Sequence, residues 1–297
     1  MLFNKVTATE KRAQFRKRLK TGKILRVPGA FTPLVSMLIE EIGFDGVYVS
    51  GAVLSNDLGL PDVGLTTLSE VSSRARAIAR VTTLPTIVDA DTGFGEPMSA
   101  ARTIQELEEA GLSGCHIEDQ INPKRCGHLD GKALVDQAVM VQKIRAAAEA
   151  KRDPNFLLIA RTDARGVESF EKAVDRAKAY IDAGAEMIFP EALKDLGEFE
   201  KFAKAVSVPI LANMTEFGKS ELFTAEQLEN AGARLVIYPV TTLRLAMKAI
   251  EDGLREIHQK GSQQTVVSKM QTRQRLYELV QYEAYNQFDQ KVFNFKI

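Results

Sequence analysis

Phe156-Leu157-Leu158-Ile159-Ala160 runs straight into Arg161-Thr162-Asp163. An apolar run without alternation describes a parallel strand covered on both faces. The polar residues that end it describe a strand whose carboxyl edge is used for chemistry. Similar short, β-branched runs occupy 24–30, 46–51, 86–91, 114–119, 187–191, 209–213 and 235–240, which with 156–163 makes eight. Each is followed by a segment of helical composition, most clearly 98–110, 135–150, 168–182 and 241–257. Glycine stops several helices shortly before the next strand, at Gly111, Gly184 and Gly232. Eight strand–helix units in about 250 residues predict an α/β protein, a (β/α)8 barrel of TIM type. An open doubly wound sheet would need a phosphate-binding glycine turn after its first strand, and Gly29-Ala30-Phe31-Thr32-Pro33 is not that turn.

The 297 residues read as a single barrel domain, 1–297, with an N-terminal helix and a C-terminal helical extension from about 262. Residues 10–20 form a basic helix whose charges are expected to face solvent. Gly261-Ser262-Gln263-Gln264 reads as a flexible break before the helical tail. Lys and Arg together balance Asp and Glu at net zero, which argues against nucleic-acid and membrane-surface roles. No apolar run approaches the roughly 20 residues of a membrane span. The N-terminus lacks the apolar core of a secretory signal, and two cysteines make no disulfide framework. A cytoplasmic protein is expected.

Polar residues gather at the strand ends. Tyr48 and Ser50 end the second strand, Asp89 and Asp91 the third, Glu118 the fourth, Arg161 the fifth, Glu191 the sixth and Asn213 the seventh. In a barrel that edge is where catalysis sits. Asp89 and Asp91 are two apart on a strand, so both carboxylates are expected on one side. Paired carboxylates without a thiolate or imidazole suit Mg²⁺, with Mn²⁺ as the alternative. Glu118 and Asp62 would complete the site, directly or through water. Arg161 is a planar fork for a carboxylate, and Arg244 would serve similarly. With Asn213 and Thr215 the mouth would hold a small polycarboxylate. His116 shares the inward side with Glu118, its role open. Cys115 points the other way, as an inert buried thiol.

One loop carries further chemistry: Asn122-Pro123-Lys124-Arg125-Cys126-Gly127-His128. Cations beside Cys126 favour its thiolate, and Gly127 lets the backbone bend closely around a ligand.

Lys124-Arg125-Cys126-Gly127-His128, with Val88-Asp89-Ala90-Asp91-Thr92-Gly93-Phe94-Gly95 and His116-Ile117-Glu118-Asp119-Gln120, resembles the isocitrate lyase and phosphoenolpyruvate mutase superfamily. Gly59-Leu60-Pro61-Asp62, Phe189-Pro190-Glu191-Ala192, Leu211-Ala212-Asn213-Met214-Thr215 and Met270-Gln271-Thr272-Arg273 extend the likeness over most of 10–285. The cysteine loop points to the lyase branch. The compact length, and Lys-Arg before the cysteine, favour cleavage of 2-methylisocitrate to pyruvate and succinate, in propionate breakdown. Isocitrate, or another oxo-acid cleaved at a C–C or C–P bond, is the alternative, and a degenerate metabolite-binding barrel is the non-enzymatic one. The resemblance implies metal carboxylates at Asp89 and Asp91, with Glu118 and Asp62 nearby. It implies substrate contacts at Ser50, Gly51, Ala52, Cys126, Gly127, Arg161, Glu191, Asn213, Met214, Thr215, Arg244 and Arg273. Cys126, Tyr48, Arg161 and His128 are expected to form the catalytic set. Cys126 is expected to protonate the departing carbanion, and Tyr48 is the candidate base. Phe189 and Ile237 would wall the substrate methyl. The resemblance also implies a homotetramer, a dimer of dimers that exchange the eighth helix.

Overall fold

The computed structural model describes residues 4–125, 127, 131–218 and 220–294. The chain forms two compact units, Met1–Thr242 and Leu243–Ile297. The first holds eight strands: β1 Leu25–Pro28, β2 Val47–Val49, β3 Thr86–Asp89, β4 Gly114–Glu118, β5 Leu157–Thr162, β6 Met187–Pro190, β7 Ile210–Asn213 and β8 Ala233–Tyr238. All pairings are parallel, in the order β1-β8-β7-β6-β5-β4-β3-β2. A parallel bridge between Gly29 and Tyr48 joins the two remaining edges, with Ala30 N donating to Tyr48 O at 2.8 Å. The sheet is therefore a closed barrel, and the open-sheet alternative falls. Each strand lies within its expected run except β8, which begins at Ala233 rather than 235.

The lack of alternation in β5 has a clear origin. Leu157 and Ile159 point into the barrel beside Ile87, Met187 and Leu211. Leu158 and Ala160 point outward against the helices. Both sides are dry, so both are apolar. The same period sets β4: Cys115 and Ile117 face the helices, which leaves His116 and Glu118 inside. Gly184 and Gly232 end their helices at φ 112° and 96°. A β-carbon on either would fall 2.6 Å from an alanine of the neighbouring helix, Ala148 or Ala203.

The N-terminal helix Ala8–Leu19 corrects the expectation of a solvated basic face. Phe15 and Leu19 join the barrel interior. Lys11 and Arg12 are buried. Lys11 donates to the carbonyls of Ala79, at 2.9 Å, and Thr82. Arg12 donates to Leu112 O at 2.7 Å and Glu108 O at 2.6 Å. Arg16 reaches Asn155 O and Phe156 O just before β5. These cations satisfy carbonyls at helix ends and strand starts, closing the amino end of the barrel. The chemistry is left to the carboxyl end.

The second unit is helical. Helix Thr241–Lys260 leads into it, ending at Gly261 with φ 66°. A 3₁₀ turn Gln264–Lys269 and helices Arg273–Leu279 and Tyr282–Phe293 follow, with Tyr277 and Tyr282 stacked at 4.7 Å. Among the described residues, no helix is long and apolar enough to cross a membrane.

Candidate active site

The two aspartates meet, though not as simple strand neighbours. β3 ends at Asp89, and Asp91 sits beyond it in a left-handed turn at φ 44°. Asp91 N donates to Asp89 Oδ1 at 2.9 Å, folding the second carboxylate back beside the first. Gly51, at the start of the short helix after β2, donates to Asp89 Oδ2 at 3.3 Å. A β-carbon there would lie 2.8 Å from Asp89 Oδ2 and 3.2 Å from Asp91 Oδ1, so both acids press on the glycine. Burial, then the charge of Asp89, raise the Asp91 pKa to about 6.

Lys124 enters this cluster from the following loop. Its ammonium is 2.9 Å from Asp91 Oδ1 and hydrogen-bonds Asp62. Burial opposes its charge, but Glu118, Asp91, Asp89 and Asp62 outweigh burial and raise its pKa. The sequence placed Lys124 as a companion of Cys126. The structure turns it toward the acids.

Glu118 and Arg161 are opposite each other in the β4–β5 register. Arg161 Nη1 is 3.1 Å from Glu118 Oε2, and its Nε is 2.9 Å from Asp163 Oδ2. Glu191 lies 3.9 Å from the same guanidinium, which stacks over Phe189 at 5.2 Å. Asn213 Nδ2 donates to Glu191 Oε2 at 3.3 Å. Burial raises Glu118 well above the usual carboxylate range, against the pull of Arg161 and Lys124.

Tyr48 OH and His116 Nε2 are 2.8 Å apart, and His116 Nδ1 is 3.6 Å from Asp89 Oδ1. Burial lowers the His116 pKa to about 4, so the imidazole is neutral at pH 7. Burial and nearby carboxylates, Asp89 foremost, raise the Tyr48 phenol. Phe189 and Ile237 line the interior nearby.

The loop is pinned on both flanks. Arg125 N donates to Gln120 Oε1 at 2.9 Å and Gln120 Nε2 returns to Arg125 O at 2.8 Å. Lys132 pairs with Asp163 at 2.7 Å and donates to Gly127 O. A β-carbon on Gly127 would fall 2.1 Å from Glu191 Oε1 and 2.4 Å from Arg161 Nη2, so this glycine is needed for close approach. Cys126 and His128, both expected in the catalytic set, lie outside the described residues.

Ser50 is the buried N-cap of helix Gly51–Asp57, which also carries Ala52. Met214 is buried just past β7, with Thr215 half-buried beside it. Arg244 lies in the first turn of Thr241–Lys260, and Arg273 opens Arg273–Leu279. Both belong to the helical unit. Sequence reasoning gave no role to Asp163, Lys132 or Asp119. Asp163 was legible, being two residues past Arg161. Asp119 was not: it is held by Thr162 at 2.7 Å, Asp163 N at 3.0 Å and Tyr180 at 2.8 Å, partners distant in sequence or on another strand. Burial raises its pKa to about 6.

Among the described residues, no three carboxylate, imidazole or thiol groups form a ready-made metal cage. The residues nevertheless fit a hard divalent ion. Glu118 Oε1 is buried without a hydrogen-bond partner, and the polar contacts of Glu118 Oε2 and Asp91 Oδ1 are to cations, Arg161 at 3.1 Å and Lys124 at 2.9 Å. Mg²⁺ typically needs one or two protein carboxylates and takes its remaining ligands from water and substrate.

A closed parallel barrel with acids and a guanidinium gathered at its carboxyl mouth is the arrangement of a barrel enzyme. The phosphoenolpyruvate phosphomutase family model matches residues 15–258. A probable 2-methylisocitrate lyase 2 of Corynebacterium glutamicum is 59% identical over 98% of this chain and 94% of its own length. An oxaloacetate acetylhydrolase structure with the inhibitor 3,3-difluorooxalacetate superposes with a TM-score of 0.90 at 32% identity, covering 97% of this chain and 99% of the other. A phosphonopyruvate hydrolase solved with oxalate and Mg²⁺ gives 0.87 at 28%, covering 96% and 99%. The chain belongs to the phosphoenolpyruvate mutase and isocitrate lyase superfamily, within its 2-methylisocitrate lyase branch.

Proposed function

We propose that the protein is a carbon–carbon lyase that cleaves 2-methylisocitrate to pyruvate and succinate. The observation that carries this reading is the mouth itself: Asp89 and Asp91 on one side, Arg161 with Glu191 and Asn213 on the other, and Gly127 of the cysteine loop seated against that second group. Near-full-length identity to relatives bearing that enzyme name supports it.

The proposed chemistry divides among these residues. Asp89 and Asp91, with Glu118 and Asp62 close by, would hold Mg²⁺ or Mn²⁺. When bound, the ion supplies positive charge that eases deprotonation of the substrate 2-hydroxyl. Tyr48 is assigned as the base for that proton, positioned by His116 Nε2, 2.8 Å away. The C2–C3 bond then breaks. Its electron pair stays on the succinate carbon, and C2 becomes the keto carbon of pyruvate. Arg161 and Asn213 stabilise charge on the departing carboxylate as it forms. Cys126, one peptide bond from Gly127, gives its thiol proton to the carbanion, with His128 two residues on in sequence. Ser50, Gly51, Ala52, Met214 and Thr215 position the substrate, and Arg244 and Arg273 are assigned the same task.

Phe189 and Ile237 wall the substrate methyl. One methyl in an apolar pocket is worth about 10–200-fold in discrimination. The reading extends to assembly. Helix Thr241–Lys260 buries none of its residues and exposes Leu245, Met247, Ile250, Leu254 and Ile257. That apolar face suits a helix exchanged between subunits of a homotetramer, and sedimentation of the purified protein tests it.

Product analysis by NMR, with 2-methylisocitrate, isocitrate and oxaloacetate offered separately, tests the substrate. Pyruvate and succinate from 2-methylisocitrate are expected. Faster release of oxalate and acetate from oxaloacetate would replace this reading with that of the hydrolase relatives.

A further inference from the structure

We propose that Lys124 is an exchangeable occupant of the metal site, an internal cation that neutralises Asp91 and Asp62 in the ion-free protein and leaves them when a divalent cation binds. The inference rests on the reading that Asp89 and Asp91 hold that ion.

The geometry is that of a counter-ion. The Lys124 side chain is 3% exposed, and its ammonium lies 2.9 Å from Asp91 Oδ1 while hydrogen-bonding Asp62. Apart from Lys124, no hydrogen-bond donor meets Asp91 Oδ1 among the described residues, which leaves the ammonium as its polar contact. Isolated buried carboxylates are costly, so an acid cluster of this kind needs a compensating cation. Arg161 is committed elsewhere, to Asp163, Glu118 and Glu191. That leaves Lys124 to balance Asp62, Asp89 and Asp91.

A divalent ion at Asp89 and Asp91 would take over that balance. It would also stand a few ångströms from the ammonium, and like charges at that distance repel strongly in a poorly screened site. The lysine therefore has reason to leave when the ion arrives. Its stem is a flexible four-carbon chain, able to swing where a short side chain could not. The backbone on either side can stay in place. Asn122 rests on Gly64, where a β-carbon would fall 2.3 Å from Asn122 Oδ1. Gln120 clasps Arg125 through both its amide atoms. Neither anchor uses a metal carboxylate, so exchange moves the side chain and leaves the backbone anchored.

The test uses the full-length protein without substrate. Lysine acetylation by an amine-reactive ester, read by mass spectrometry, reports access to the Lys124 amine with and without saturating Mg²⁺. Mn²⁺ affinity, read by calorimetry, is compared among wild type, Lys124→Met, Lys124→Arg and Asp91→Asn. Mg²⁺ should raise Lys124 labelling about tenfold, and Lys124→Met should bind Mn²⁺ at least about tenfold more tightly, since a unit charge a few ångströms away in a poorly screened site is worth at least that much. Lys124→Arg keeps the charge and should not gain affinity. Lys124 labelling unchanged by Mg²⁺, with Mn²⁺ binding intact in wild type and lost in Asp91→Asn, overturns the exchange and leaves the metal assignment standing. Mn²⁺ binding undiminished in Asp91→Asn overturns both.

Discussion

Gly127 lies against Glu191 so closely that a single added carbon would sit 2.1 Å from its Oε1. Gly127→Ala must push the cysteine loop off Glu191 and Arg161, and a misplacement near 1 Å costs roughly a hundredfold in rate. A loss of about that size in kcat/KM, with the melting temperature held, is the expected outcome. Unchanged kinetics would show that the loop works from another position.

Cys126→Ser is expected to keep substrate binding and lose turnover by about 10²–10⁴, the usual worth of a positioned proton donor. Product analogue affinity by calorimetry and turnover by pyruvate release separate the two effects. Near-full activity would remove the thiol from the mechanism.

Tyr48 and His116 make a hydrogen-bonded pair in the interior, 2.8 Å apart. Tyr48→Phe removes the bond and the proposed proton acceptor while leaving the ring. A fall in kcat of about 10²–10⁴ with little change in KM is predicted from steady-state kinetics. A change confined to KM would make the phenol a binding group.

The barrel was legible because its causes are local. Apolar runs such as that leading into Arg161, and glycines such as Gly184 and Gly232, signal strands and helix ends from sequence alone, and the structure finds both glycines at positive φ. The rim was legible for the same reason, since strand ends carry the polar residues. What sequence hid depends on distance. The carbonyls that bury Arg12 come from positions near 108 and 112. Lys124 reaches an acid 62 positions away. Asp91 meets Asp89 through a left-handed turn, which a two-residue spacing does not foretell.

Asp119 gives a pH prediction with a definite sign. Burial raises its folded pKa to about 6 from an ordinary 3.8. The folded state therefore takes up a proton before the unfolded chain does. The stability this contributes is full below about pH 4 and lost as pH rises toward 6, a swing on the order of 3 kcal/mol. Asp119→Asn removes it. Thermal melts should show wild type gaining on Asp119→Asn as pH falls from 7 to 4. A constant difference across that range would show that Asp119 titrates as an ordinary acid.

Pyruvate release from purified 2-methylisocitrate, followed before EDTA, after EDTA and after Mg²⁺ is restored, bears most directly on the assigned function. Equimolar pyruvate and succinate, abolished by the chelator and recovered with the ion, is the predicted result. Cleavage that continues undiminished in EDTA, or no cleavage with Mg²⁺ present, would contradict it.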